Sequence, residues 1–184
     1  MALDSNIKSR LLESGAALFA EKGFKATSVR SICDNADASQ SMIHHHFKNK
    51  QGLLDAVLEQ YSIQVFLVPM KLMQSEVRSK DELQSRLRMI FESTLEACLK
   101  YRDVVVLTWR EQMTPHALVE YLNCFKEFLE SARSKGFVRE AIDPDMITGF
   151  MFDRIMNQVQ LAPWLKTHFS IDIGQRRIVP PEVV

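Results

Sequence analysis

Residues 28–47 read Ser28-Val29-Arg30-Ser31-Ile32-Cys33-Asp34-Asn35-Ala36-Asp37-Ala38-Ser39-Gln40-Ser41-Met42-Ile43-His44-His45-His46-Phe47. Val29, Ile32, Cys33 and Ala36 recur at i, i+3, i+4 and i+7, the spacing of one helical face. Thr27 and Ser28 precede them as N-cap candidates. Asp37, a residue type that tolerates positive φ, stops this helix. Only Asp37 and Ala38 separate it from Ser39, the next N-cap. Two short helices joined by so tight a turn cross steeply, as in a helix-turn-helix. The second of them, Ser39 to about Phe47, has two unlike sides. At 100° per residue, Ile43, His46 and Phe47 share one side, and Gln40, Ser41, His44 and His45 share the other. The apolar side must face the preceding helices. The opposite side offers only hydrogen-bonding groups.

The elements on either side are helical too. Upstream, Ile7, Leu11, Gly15, Leu18 and Phe19 form one face, with Ser5 as a candidate cap. Gly23 closes that helix in the left-handed conformation, and Phe24 supplies the hydrophobic contact that follows. Downstream, a helix opens at Asn49 and runs through Leu53, Leu54, Val57, Leu58 and Tyr61 to Val65–Val68, where Pro69 is expected to break or kink it. It is too long and too apolar in its far half to serve the small module alone. The domain boundary therefore falls inside it, dividing the chain into 1–50 and 51–184. Beyond it, Ser79-Lys80-Asp81-Glu82 is a capping box. Asp103 caps a short helix to Met113, Thr114-Pro115 opens another that Gly136 closes, and Asp143-Pro144 opens a last one that Pro163 limits. Pro181-Glu182-Val183-Val184 has the composition of one further helix opening. No strand-like alternation competes, so the fold class is all-α.

Composition narrows the function. The chain has 184 residues, 46% hydrophobic and 25% charged, with 6 Gly and 6 Pro, which fits a soluble helical protein and not a disordered or all-β one. No apolar run reaches the ~18–20 residues that span a bilayer, and no secretory signal is read at the start, so no membrane partner is expected. Cys33, Cys98 and Cys124 are three widely spaced thiols, which suits a reducing cytoplasm. Lys plus Arg and Asp plus Glu both number 23. A surface basic all over is therefore excluded, but Lys22, Lys25, Arg30, Lys48 and Lys50 stand against only Asp34 and Asp37 in the stretch 22–50.

The remaining motifs point away from catalysis. His44-His45-His46 cannot converge on one ion, because successive helical residues diverge by about 100° and helical ligand pairs need i, i+4 spacing. No metal or cofactor is expected. There is no Gly-rich phosphate loop, GxSxG elbow or CxxC pair. Asp143 and Asp145 read as helix N-terminal charges. The 9 Met and 11 Phe are mostly core, although Met can also line an adaptable pocket. Trp109, Arg110 and His116 lie near the Thr114-Pro115 break, where they are best placed to orient a ligand.

The stretches Leu18–Ile32 and Ser39–Lys50, with Leu53-Leu54 following, resemble the DNA-binding domain of the TetR-type transcriptional regulators. The resemblance covers about Ile7 to Glu59; the remainder is similar in layout. It implies an N-terminal three-helix DNA-binding domain and a C-terminal helical domain for ligand binding and dimerisation. The expected function is that of a homodimeric repressor that binds double-stranded DNA at a palindromic operator and is released by a small, largely apolar molecule. Carried over by position, Thr27 would bond a phosphate, and Ser39, Gln40, Ser41 and Met42 would approach bases or backbone. His44 stands where the family usually has a phosphate-contacting tyrosine, His45 follows it, and Lys50 would reach a phosphate. The ligand pocket is expected among Phe66, Met70, Phe91, Trp109, Arg110, Met113, His116, Tyr121 and Phe125, and the dimer interface at Phe150, Met151 and Ile155. The chain departs from the family at Asp37, usually Gly, at Ala38, usually Val, and at Ser41-Met42, usually Gly-Thr. The alternative is a helical ligand-binding or scaffold protein whose helix-turn-helix no longer reads DNA.

Overall fold

The computed structural model describes residues 2–173. Within them the chain forms eight helices and no strand: α1 (Ala2–Lys22), α2 (Val29–Asn35), α3 (Gln40–Phe47), α4 (Lys50–Met73), α5 (Lys80–Lys100), α6 (Arg102–Arg110), α7 (His116–Ser134) and α8 (Pro144–Phe169). The all-α expectation is met. The segment Pro181-Glu182-Val183-Val184 lies outside the described residues.

Local chemistry explains most helix ends. Ser28 caps α2 by accepting from the Ser31 amide at 3.0 Å. Ser79 caps α5 through the Glu82 amide, and the Glu82 carboxylate reaches back to the Arg78 amide at 2.9 Å. Asp143 caps α8 ahead of Pro144. Gly23 closes α1 with φ +83°, its amide donating to the Phe19 carbonyl. Three expectations need correction. α1 begins before Ser5, at Ala2. Neither Pro69 nor Pro163 ends its helix: α4 continues to Met73 and α8 to Phe169.

The chain forms two compact units. The first comprises residues up to Ser62 together with Asp103–His116; the second begins with Ile63–Arg102 and resumes at Ala117. The first unit therefore extends past residue 50 and recruits α6. The reason is a shared core: Leu11, Phe19, Ile32, Ile43, Phe47, Leu53, Leu54, Val57 and Leu58 are buried together with Val104 and Leu107 of α6. In the second unit α5 packs on α8. Its interior holds Ile90, Leu95, Cys98, Tyr121, Phe125, Ile155 and Val159.

Candidate nucleic-acid interface

The tight turn between α2 and α3 sets the geometry of the first unit. Asp37 has φ +47°, and the Ala38 amide returns to the Cys33 carbonyl at 3.0 Å. Arg10 of α1 holds the turn, donating to the Asp37 carbonyl at 3.2 Å and pairing with its carboxylate at 3.6 Å. Ser14 and Asn35 add a further link, from the Asn35 amide to the Ser14 hydroxyl and on, through a buried bond, to the Ile32 carbonyl. α3 is thereby fixed with Ile43 and Phe47 in the core.

The outward face of α3 carries Gln40, Ser41, His44 and His45, all exposed, with Ser39 exposed just ahead. Ser39 makes no side-chain cap bond; its hydroxyl lies 2.7 Å from that of Ser41. Met42 is half-buried and packs partly against the core, so it is placed beside that face and not on it. The His44 ring nitrogen Nδ1 lies 2.8 Å from the Lys48 carbonyl. His46 is half-buried, its ring packed between those of His45 and Phe47.

Two residues expected at phosphates have internal partners. The Thr27 hydroxyl donates to the Gly23 carbonyl at 2.8 Å and lies 3.0 Å from that of Leu18. Thr27 is 2% exposed, so its one proton fastens the α1–α2 loop and is not offered to a phosphate. The Lys50 ammonium donates to the carbonyls of Phe24 and Thr27, both at 2.9 Å, and sits 4.3 Å from the Phe24 ring centroid. It ties the start of α4 to the same loop. Sequence reasoning also missed Lys8, which lines a groove of about 470 Å³ with Lys48, Asn49 and Gln51 at the start of α4. Both carboxylates of the 22–50 stretch are paired, Asp34 with Arg30 at 3.8 Å and Asp37 with Arg10. The surface around α3 thus presents polar groups and cations. Burial, with the Asp34 charge second, raises the Cys33 thiol above its ordinary range, which suits a core residue and not a nucleophile.

The nine expected pocket residues divide between the units. Trp109, Arg110, Met113 and His116 belong to the first. There the Arg110 guanidinium donates to the Phe19 carbonyl at 3.1 Å, Met113 packs on the core, and the His116 amide donates to Glu59. Trp109 is exposed. The pull of α6 onto the helix-turn-helix core explains the placement. Phe66, Met70, Phe91, Tyr121 and Phe125 belong to the second unit. Phe66 stacks on Tyr121 with centroids 4.6 Å apart, and the Tyr121 hydroxyl shares a 2.9 Å hydrogen bond with Thr94, a partner that nothing in the residue pattern singles out. Met70 lines a groove of about 340 Å³ with Met73, Val77, Cys124 and Phe128.

The expected dimer residues also separate. Phe150 is exposed, Met151 is half-buried with its sulfur 4.0 Å from the Tyr121 hydroxyl, and Ile155 is buried in its own subunit's core. Phe150 and Ile155 lie about 140° apart around α8, so they cannot share a face.

A short helix pair joined by a tight turn, braced by a third helix and presenting a polar outer face, has the architecture of a helix-turn-helix. The sequence profile of the bacterial regulatory proteins of the tetR family matches residues 11–57. The transcriptional regulator YvkB of Bacillus subtilis is 28% identical over 164 residues, 83% of each chain. The transcriptional repressor KstR2 of Rhodococcus jostii is 28% identical over 155 residues, 81% of this chain and 76% of that one. In fold the chain is similar to the regulator FadR of Bacillus subtilis, solved with stearoyl-CoA, at a TM-score of 0.71 and 17% identity over 90% of this chain and 91% of that one. The chain is thus similar to TetR-type transcriptional regulators, and residues 11–57 match the family's own profile. Both of these curated relatives are transcriptional regulators.

Proposed function

We propose that this protein is a ligand-responsive transcriptional repressor acting in the cytoplasm as a homodimer. Each subunit inserts α3 into the major groove of one half of a palindromic operator, and a small, largely apolar molecule releases the DNA. The observation that carries this reading is the exposed face of α3. Gln40 and Ser41, with Ser39, stand at the helix N-terminal end, where side chains reach base edges, and Gln pairs bidentately with adenine. His44 and His45 stand further along, at the height of the flanking phosphates. Thr27 and Lys50 contribute by holding the loop and the start of α4 in place.

Dimerisation through α8 is supported by its exposed apolar residues Met146, Phe150, Leu161 and Trp164. An apolar effector is supported by the aromatic interior of the second unit, where Phe66 packs on Tyr121 and polar groups such as the buried Tyr121–Thr94 pair are few. The stearoyl chain of the ligand in the FadR complex is in keeping with that chemistry.

Fluorescence anisotropy tests the reading. The purified protein is titrated into a duplex from upstream of its own gene and into a scrambled duplex, at two salt concentrations. Tight, salt-sensitive binding to the first alone is expected. Equal weak binding to both, or none, would favour a helical ligand-binding protein that no longer reads DNA.

A further inference from the structure

α3 carries no lysine, arginine or carboxylate; its titratable groups are His44, His45 and His46. The helix that faces DNA therefore has no fixed charge, and its charge is set by protons. His44 is further constrained by its bond to the Lys48 carbonyl. A carbonyl oxygen only accepts, so Nδ1 must carry the hydrogen. Neutral His44 then presents a bare lone pair at Nε2. A phosphate oxygen also only accepts, so neutral His44 cannot bond it. The imidazolium can, because Nε2–H becomes a donor while Nδ1–H stays on Lys48.

We propose that His44 is a proton-gated phosphate ligand, so that DNA binding by this protein strengthens as pH falls through the imidazole range. The proposal rests on the regulator reading above. The charged groups on the helices packed against α3 do not supply a competing counter-charge. On α1, Lys8 and Lys22 are cations, Arg10 is paired with Asp37, and Glu13 and Glu21 are exposed. On α2, Arg30 is paired with Asp34. On α4, Lys50 is held by loop carbonyls, Asp55 accepts from Gln51, and Glu59 accepts from the His116 amide. Among the described residues no carboxylate is bonded to the His44 or His45 ring. The protonated ring is left for the phosphate. In the neutral state the same Nε2 lone pair suits an amino group on a base edge, so deprotonation changes what His44 can touch as well as how strongly.

The test uses the full chain and a fluorescein-labelled mixed-sequence duplex, titrated at about pH 6 and about pH 8, which bracket the imidazole range. Wild type is expected to bind about tenfold more tightly at the lower pH, with a salt slope steeper by about 0.9 per head. His44→Gln is expected to lose most of the pH response, the remainder belonging to His45 on the same face, and His44→Lys to keep the steeper slope at both pH values. Circular dichroism at both pH values checks that each variant is folded. Nitrogen-15 shifts of the free protein give a second readout, with neutral His44 expected as the Nδ1–H form. A pH response unchanged in His44→Gln, or an Nε2–H ring, overturns the gate while leaving the regulator reading intact. A folded wild type that binds no duplex at either pH overturns both.

Discussion

Gly52 leaves no space for a side chain. A Cβ there would stand 2.0 Å from the Phe47 carbonyl oxygen, which is backbone and cannot swing aside. The first turn of α4 is therefore seated on the last turn of α3, and Gly52→Ala must push the two apart. The expected loss is about 2–3 kcal/mol of stability, at the upper end of overpacking costs, read as a fall in the denaturant midpoint. Lys50 acts on the same junction from the other side. Its ammonium is bonded to two loop carbonyls, and charge-assisted bonds at a half-exposed site suggest a loss of about 1–2 kcal/mol for Lys50→Ala. DNA binding should weaken on specific and random duplexes alike. Gln40→Ala, in contrast, should leave the melting temperature unchanged and shift sequence preference. Equal losses on all duplexes from both variants would remove that division of roles. The polar face of α3 was legible in the sequence because helical phase is a local property. The work of Thr27 and Lys50 was not, because their carbonyl partners lie across a loop and leave no mark in the residue pattern.

Helix boundaries were legible wherever a side chain caps its own helix, as Ser28, Ser79 and Asp143 do. Pro163 misled because what rescues it is distant in sequence. In α8, Pro163 has no N–H to give to the carbonyl four residues earlier, that of Val159. The Arg102 guanidinium supplies the missing donor, its Nε lying 3.1 Å from that oxygen. The helix continues to Phe169 because a neighbouring element satisfies the group that proline leaves open. A double-mutant cycle isolates this. Arg102→Met is expected to cost about 1–3 kcal/mol, the penalty of an unsatisfied carbonyl. Pro163→Ala restores a backbone N–H at that position, which can serve the Val159 carbonyl. In that background the Arg102 substitution should cost about 1 kcal/mol less. Other contacts of Arg102 are common to both backgrounds and cancel. A coupling of zero, measured by chemical denaturation, would mean that Arg102 does not compensate the proline.

At the scale of the whole molecule, the sequence led to an expected boundary within α4 and held no sign that α6 would share the core of α1–α4. Val104 and Leu107 are apolar residues that suit either core, and packing against α1–α4 assigns them to the first. The same limit applies to the proposed subunit interface. On α8, Met146, Phe150, Leu161 and Trp164 are 56%, 62%, 47% and 50% exposed. At 100° per residue they fall within about 60° of arc, with Asp153 and Asn157 in the same stripe. An exposed apolar stripe of this kind, with Asp153 and Asn157 at its middle, marks an interaction surface. In an isologous dimer each substitution is present twice across the two-fold axis. Phe150→Asp therefore removes two apolar anchors and sets two like charges within one interface. The dimer dissociation constant should rise by at least about a hundredfold, which is about 2.7 kcal/mol. Sedimentation velocity over a concentration series reads it directly. The subunit itself should keep its fold by circular dichroism, because Phe150 is solvent-exposed in the single chain. The DNA salt slope should fall by about half, since one head reaches fewer phosphates than two. A variant that remains dimeric at the same concentrations would place the interface on another face, and the apolar stripe of α8 would then need a different partner.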